Sequence, residues 1–293
     1  MANILGVGVA TVDIVNVTDG YPLQDTEVRA VSQETRRGGN TVNTLVVLSQ
    51  LGHQCSWVGT VTDDDNHRIV QQDLTRYGIN TQHCQLHAGK STPTSYITLN
   101  RNNGSRTIVH YRELPELDAT PFTQLDLSPY QWLHFEARNI QETRKMLEYS
   151  KSNYPEIPVS IEIEKNRDDI ESLFTRPLNK NTIYFFSHHF AQQKNIDTAE
   201  NLLTHYQKRL PDNLLVCTWG TQGAFAIQND RLYHAKAYPP PCVIDTIGAG
   251  DTFNAGFINA SLANHNTQKA LDLASQLAGK KCGISGLHNI SQS

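Results

Sequence analysis

Residues 245–257, "DTIGAGDTFNAGF", place a turn of small residues directly before Asp251 and then continue as an apolar run with helical spacing. Gly248, Ala249 and Gly250 would form the N-terminus of that helix. Free N–H groups and the helix dipole favour an anion there. If the anion is a phosphoryl group in transit, Asp251 would be the general base toward the attacking hydroxyl, and the turn would stabilise the developing charge. The alternative is that Asp251 only caps the helix.

A second pattern, "RRGGNTVNT" at residues 36–44, places Gly39 before a predicted helix that carries Asn40 and Asn43. Residues three apart on a helix share a face, so the two amides would project together. An amide offers donors and an acceptor, as vicinal sugar hydroxyls require. Asp13, beyond the first predicted strand, would add a carboxylate. Asn40 could instead cap its helix, and Asp13 could be an ordinary loop residue.

The elements that would position these residues alternate between short β-branched runs and helical periodicity. This alternation predicts an α/β fold with a mostly parallel central sheet flanked by helices. The predicted strands cover residues 3–8, 55–61, 131–136, 157–163, 182–187, 213–219 and 241–245. The predicted helices cover residues 41–52, 66–78, 141–151, 197–210, 251–263 and 267–283.

Two segments, residues 11–37 and 92–112, interrupt the alternation. Within the second, Asn103 and Gly104 separate two alternating apolar runs, which is a strong hairpin signal. We therefore expect a small β lid over one edge of the main sheet. No linker, charge block or internal repeat divides the chain, so residues 1–293 are expected to form a single domain with this lid.

Composition limits the classes of partner. The formal net charge is −4, with 18% charged and 38% hydrophobic residues, so no basic surface for nucleic acid or an anionic membrane is expected. The absence of a signal peptide and of an apolar run long enough to span a bilayer predicts a cytoplasmic protein. Five cysteines without C-x-x-C spacing predict reduced thiols rather than disulfides or a zinc site.

Together these stretches resemble the two signatures of the ribokinase-type, or phosphofructokinase-B, carbohydrate kinases. The chain is most similar to the ketohexokinase branch in strings such as "YPLQDTEVRAVSQ", "WLHFEARN", "IEIEK", "AYPPP" and "AGKKCG". The resemblance implies a ribokinase-like fold and transfer of the γ-phosphoryl group of ATP to a primary hydroxyl of a ketohexose, giving fructose 1-phosphate from fructose. It also implies a homodimer formed through the lid.

The family's roles carry over only to matching positions. The implied sugar-binding residues are Asp13, Gly39, Asn40, Asn43 and Asp251. The implied catalytic residues are Asp251 as base, Gly248, Ala249 and Gly250 as anion cradle, and Arg106, which would reach the transferred group from the lid but could be an ordinary exposed hairpin charge. The implied nucleotide-binding residues are Gly220, Gly223, Gly248, Gly250, Ser275 and Gly279.

One departure affects the metal. Many ribokinase relatives carry the motif Asn-x-x-Glu after a central strand, where this chain has Ser187 to Phe190 instead. Ketohexokinases also lack this motif. No protein ligand for Mg²⁺ is therefore named, and the ion is expected to be held by ATP phosphates and water. The resemblance also implies a K⁺ site near Asp245 and the carbonyl groups of Cys282 and Gly283.

Three other functions stay open. A kinase of another small sugar such as ribose, or a nucleoside kinase acting on adenosine, would share Asp251. A catalytically silent sugar-binding regulator would keep the fold without needing a base that faces an anion cradle. Two further classes are disfavoured. A P-loop kinase would need G-x-x-x-x-G-K-[ST], which does not occur, and a Rossmann dehydrogenase would need a third glycine where "GVGVAT" has Thr11.

Overall fold

The computed structural model describes residues 1–175 and 182–290. The strands are β1 Asn3–Val7, β2 Thr11–Thr18, β3 Ser32–Gly38, β4 Gln54–Val58, β5 Thr60–Val61, β6 Gln85–Leu86, β7 Thr94–Asn100, β8 Arg106–Tyr111, β9 Trp132–Glu136, β10 Val159–Ile163, β11 Thr182–Ser187, β12 Leu214–Thr218, β13 Ala224–Gln228 and β14 Arg231–Ala235. The helices are α1 Asn40–Gln50, α2 Asp65–Arg76, α3 Ala119–Phe122, α4 Ile140–Asn153, α5 His188–Gln193, α6 Ala199–Gln207, α7 Ala249–Leu262 and α8 Thr267–Cys282, with 3₁₀ turns at Ile170–Phe174 and Gly220–Gln222.

The main sheet has eight strands in the order β14-β13-β12-β11-β10-β9-β1-β4. Strands β4 to β12 in this order pair in parallel, and β13 and β14 add an antiparallel edge. Strands β9 and β10 are buried along their whole length, as expected for parallel strands that are covered on both faces. The carboxyl ends of the parallel strands share one edge of the sheet, where ligands bind in open α/β folds.

Helices cover both faces of the main sheet. On one face, Leu45 of α1, Phe257 of α7 and Leu271 of α8 belong to one buried apolar cluster, and on the other face Leu147 of α4 and Leu202 of α6 belong to a second. The predicted mostly parallel α/β architecture is confirmed. Every predicted helix is present to within a few residues at its ends, because each carries a continuous apolar stripe.

A separate four-stranded sheet, in the order β3-β2-β7-β8, forms the predicted lid. Its inner face packs on the main body, where buried Val15, Ile97 and Leu99 contact Ile247 in the loop before α7. The β7–β8 hairpin turns at the predicted place, with Gly104 at a φ of 68°. The lid therefore lies over the segment that leads to Asp251.

Two parts of the sequence-based prediction were wrong. Residues 241–245 are not a strand: Val243 and Ile244 are about half exposed, and the N–H of Ile244 donates to the carbonyl oxygen of Cys282 instead of to a sheet neighbour. The three prolines before them offer no N–H to a ladder, which favours a loop. The β13–β14 hairpin was missed because its turn, Asn229–Asp230, contains no glycine, although both residues have positive φ.

Candidate active site

Asp251 lies in the first turn of α7, whose N-cap residue is Gly248 with a φ of 81°. The side chain of Asp251 makes no capping hydrogen bond and points to α1, where the Nδ2 of Asn43 donates to its Oδ2 at 2.7 Å. The hydroxyl of Thr44 also donates to the carbonyl oxygen of Asp251 at 3.3 Å. Simple capping by Asp251 is therefore wrong, and two helix N-termini meet at this carboxylate.

Burial raises the pKa of Asp251 to about 7, and the hydrogen bond from Asn43 works against that rise. The nearby carboxylates of Glu136 and Glu164 add to the increase. A carboxyl group with a pKa near neutrality can both accept and release a proton under ordinary conditions, which is the property of a general base.

The backbone beside Asp251 has free N–H groups of the kind that an anion cradle needs. In the chain as described, the N–H groups of Gly248, Gly250 and Asp251 donate no hydrogen bond, whereas that of Ala249 donates to the carbonyl oxygen of Thr246 at 3.3 Å. Gly250 is exposed, and a Cβ atom built on it would meet no atom within 4 Å. Free donors at a helix N-terminus fit a phosphate group.

Arg106 approaches this cradle from the lid. Its Nη1 donates to the hydroxyl oxygen of Thr246 at 3.2 Å, two residues before Gly248, and its side chain is otherwise exposed. The structure therefore brings Arg106, on strand β8 of the lid, to the turn that precedes Asp251 on helix α7.

The predicted amide pair lies where α1 begins. The N-cap residue is Gly39, with a φ of 102°, rather than Asn40. A Cβ at Gly39 would lie 2.2 Å from the carbonyl oxygen of Val9, so a side chain is excluded there. The Nδ2 of Asn40 donates to Oε1 of Glu162 at 3.0 Å, and Asn43 accepts a 2.5 Å hydrogen bond from Arg37. Capping by Asn40 is thus wrong, and both amides have fixed orientations.

Asp13 lies on β2, on the inner face of the lid. It is buried, accepts a hydrogen bond from Thr11 at 2.9 Å, and its pKa is raised by burial. A Cβ at Gly38 would lie within 2.4 Å of its carboxylate atoms, so the glycine leaves room for Asp13. A cavity of about 270 Å³ opens beside Asp13 and Asn43 toward Arg37, Asp73 and Tyr77, and its lining includes neither Asn40 nor Asp251.

The residues assigned to the nucleotide are placed less directly. Gly223 and Gly279 have internal reasons to be glycine, because a Cβ would lie 2.0 Å from the carbonyl oxygen of Ala235 and 1.9 Å from that of Tyr238. Gly220, by contrast, is exposed with open space around it. Ser275 is buried on α8, and its hydroxyl has no hydrogen-bond partner in the described part of the chain. Their roles toward the nucleotide remain predictions.

Sequence reasoning missed two buried carboxylates at the site, Glu136 and Glu162. Glu136 is the last residue of β9, Glu162 is the last but one of the neighbouring strand β10, and the two are paired in register. Glu136 is fully engaged, accepting from the N–H of Val9 at 3.1 Å and from Arg138 at 3.1 Å. A usable signal was present, since in "WLHFE" and "VSIEI" a glutamate stands near the carboxyl end of a mostly apolar strand.

The region expected to hold K⁺ is occupied by a side chain. The ammonium group of Lys281 is fully buried and lies 2.7 Å from the carbonyl oxygen of Asp245, 3.4 Å from that of Ile284, and 3.1 Å from the Asp245 carboxylate. Arg36 also binds this carboxylate at 2.9 Å. Although burial alone would raise it, these two cations hold the pKa of Asp245 below its ordinary value. The residues do not fit a further cation, which would be repelled there.

In residues 1–175 and 182–290, no group of three or more His, Cys, Asp or Glu side chains is arranged to hold a metal ion. Within the same ranges, no helix has both the length and the apolar character needed to cross a membrane.

The family of the chain follows from comparisons with known proteins. Residues 1–292 match the model of the pfkB family of carbohydrate kinases. Ketohexokinase from Mus musculus is 37% identical over 98% of both chains. Two solved structures share the fold: a putative ribokinase from Agrobacterium tumefaciens has a TM-score of 0.83 at 19% identity, covering 97% of this chain and 92% of its own. Ribokinase from Arabidopsis thaliana, solved with ribose and ATP, has a TM-score of 0.73 at 18% identity, covering 97% and 94%. With its glycine cradle, buried Asp251 and β lid, the chain belongs to the pfkB family of carbohydrate kinases.

Proposed function

We propose that this protein is an ATP-dependent ketohexose kinase that transfers the γ-phosphoryl group to a primary hydroxyl, converting fructose to fructose 1-phosphate. The similarity to mouse ketohexokinase over the whole chain supports the choice of substrate class. The observation that carries the proposal is the environment of Asp251. Its carboxylate is buried and bound by Asn43, and the nearby backbone N–H groups of Gly248, Gly250 and Asp251 have no acceptor in the described ranges.

In this proposal the chain supplies position and charge rather than covalent chemistry. Asp251 takes the proton from the acceptor hydroxyl, and its raised pKa makes it a stronger base than an exposed carboxylate. The N–H groups of Gly248 and Gly250 stabilise the negative charge on the transferred group. Arg106 adds a planar cation from the lid, and the lid excludes water from the site.

The acceptor would lie between the lid and the start of α1. In this proposal Asp13, Gly39, Asn40 and Asn43 border that space, and their carboxylate, backbone and amide groups supply both hydrogen-bond donors and acceptors. Mg²⁺ would be coordinated mainly by the ATP phosphates and water, since Mg²⁺ keeps several waters and needs few protein ligands. Ser275, Gly220, Gly223 and Gly279 are proposed to border the nucleotide.

We also propose that one domain with its lid forms the kinase and that the lid mediates a homodimer. Tyr96, Val109 and Tyr111 share the outer face of the lid and are each more than half exposed. An exposed apolar patch beside the unpaired edge strand β8 is a surface that favours association. Val109→Lys should shift the molecular mass measured by light scattering from dimer to monomer, and an unchanged mass would contradict this interface.

A coupled ADP-release assay with Mg²⁺ and ATP over a panel of sugars tests the function. Fructose should be phosphorylated with a higher kcat/KM than ribose or adenosine, and NMR of the product should place the phosphate on C1. Preference for adenosine would indicate a nucleoside kinase. A chain that binds fructose but releases no ADP would instead be a silent sugar-binding protein.

A further inference from the structure

Glu162 is a buried carboxyl group that the chain leaves half satisfied. It lies on β10 at the carboxyl edge of the main sheet, and only 7% of its surface is exposed. Its Oε1 accepts the 3.0 Å hydrogen bond from Asn40, whereas its Oε2 is buried without a hydrogen-bond partner within residues 1–175 and 182–290. A buried polar atom without a hydrogen bond destabilises the folded chain, and a charged one does so more strongly.

The neighbouring carboxyl group shows that this is not a general property of the region. Glu136 sits beside Glu162 in the register of β9 and β10 and binds Arg138, the N–H of Val9 and the hydroxyl of Thr41. Among the described residues, Glu162 has no comparable cation or backbone donor. An acceptor that the chain leaves without an internal donor is satisfied by water, an ion or a ligand.

The surroundings of Glu162 indicate what that ligand is. Its one partner in the described chain, Asn40, lies at the start of α1 beside the space proposed for the acceptor. Asn40 and Asn43, three residues apart on α1, bind Glu162 and Asp251 respectively, so both carboxyl groups lie beside the start of the same helix. Burial raises the pKa of Glu162, and the carboxylate of Asp251 raises it further. A sugar hydroxyl can donate to an ionised carboxylate or accept from a protonated one, so it satisfies Oε2 in either state. A magnesium ion would require the ionised form.

We propose that Oε2 of Glu162 binds a hydroxyl of the sugar acceptor, between Asn40 and Asp251, and thereby sets which sugars are phosphorylated. The inference rests on the proposed kinase function. Glu162 also fixes the amide of Asn40, whose Nδ2 donates to the carboxylate, and in this proposal the Oδ1 of Asn40 accepts from a second hydroxyl. The pair would thus recognise two hydroxyls together.

Glu162→Gln tests the proposal because it keeps the size of the side chain and the acceptor for Asn40. The KM for fructose should rise at least tenfold, while the KM for MgATP and the Mg²⁺ dependence stay within about twofold. Monodeoxy analogues of fructose identify the contact. For the analogue that lacks the bound hydroxyl, the rise in KM from wild type to Glu162→Gln should be much smaller than the rise for fructose. Glu162→Asp keeps the charge but withdraws the carboxylate by one methylene, and it should also raise the KM for fructose.

Glu164→Gln is the matched control, since it removes a charge that also acts on Asp251 without removing the Oε2 contact. It should leave the KM for fructose within about twofold. Thermal melting should show that Glu162→Gln is as stable as wild type, or more stable. If the wild type phosphorylates sugars but Glu162→Gln leaves the KM for fructose unchanged, this inference alone is overturned. The same holds if the variant changes the Mg²⁺ dependence instead of the KM for fructose. A wild type that phosphorylates no sugar overturns the proposed function and this inference with it.

Discussion

Asn43 and Asp251 join the first turns of two helices through a 2.7 Å hydrogen bond between residues 208 positions apart. Asn43 is held from its other side by the guanidinium group of Arg37 at 2.5 Å, and Arg37 is itself paired with Asp73 at 2.6 Å. The candidate base is therefore fixed by a chain of contacts that begins at α2. Such fixation keeps a base in the geometry its reaction needs.

Asp251→Asn should abolish most turnover while leaving binding intact. The amide keeps the size of the side chain, and its oxygen can still accept from Asn43, but it cannot take a proton. We expect kcat to fall by about 10²- to 10⁴-fold, with dissociation constants for sugar and ATP analogue, measured by calorimetry, within about threefold. A kcat near that of the wild type would exclude Asp251 as the base.

The same substitution should make the protein more stable at neutral pH. A carboxyl group whose pKa is raised by folding binds its proton more tightly in the folded state. Its contribution to the free energy of unfolding is therefore lost as the pH rises from about 4 through the folded value of about 7. The melting temperature of Asp251→Asn should exceed that of the wild type at pH 8 and match it near pH 4. An equal difference at both values would contradict the raised pKa.

Arg106→Gln should slow phosphoryl transfer because it removes a cation that binds Thr246, two residues before the proposed cradle. We expect kcat to fall by roughly 10²-fold, the effect of removing one group that stabilises developing charge. Arg101→Gln is the control, since Arg101 lies on the same lid hairpin and pairs with Asp19 at the surface. Equal losses in the two variants would mean that Arg106 acts only through the stability of the hairpin.

Gly248→Ala should impair both folding and catalysis. The residue has a φ of 81°, which costs an L-residue about 1 to 2 kcal/mol. Gly78 has a φ of 64° at the end of α2, and an added methyl group would meet no atom within 4 Å there, so Gly78→Ala carries similar strain away from the site. Urea unfolding should show comparable losses of stability, while only Gly248→Ala lowers kcat. Matching activities in the two variants would argue against the cradle.

Lys281→Met should destabilise the protein strongly, because it removes a fully buried cation that binds Asp245. Breaking a buried ion pair costs about 3 to 5 kcal/mol, and Arg36 would compensate for part of this. Lys269→Met, at an exposed position on the same helix, should change the free energy of unfolding by less than about 0.5 kcal/mol. A small effect at Lys281 would show that the ammonium contributes little to holding the loop before α7.

The parts of the fold that were predicted correctly depend on local chemistry. The helix at Ala249–Leu262 and its glycine turn, the helix at Asn40–Gln50, and the Asn103–Gly104 hairpin are each encoded by residues within a few positions of one another. The strand predicted at 241–245 was wrong for a tertiary reason, because the backbone of this segment hydrogen-bonds to the end of α8 instead of to a strand. The apolar pattern of a segment does not specify which other segment its backbone will form hydrogen bonds with.

The sequence alone determined which residue types stand at the start of each helix, and hence that an anion cradle, a carboxylate and an amide pair exist. Only the tertiary structure decided how they meet: Asn43 against Asp251, Asn40 against Glu162, and Lys281 against Asp245. These contacts join residues from 36 to 208 positions apart. Such pairings depend on how the strands order themselves in the sheet, because that order sets which carboxyl ends become neighbours, and hydrophobic periodicity carries no information about it.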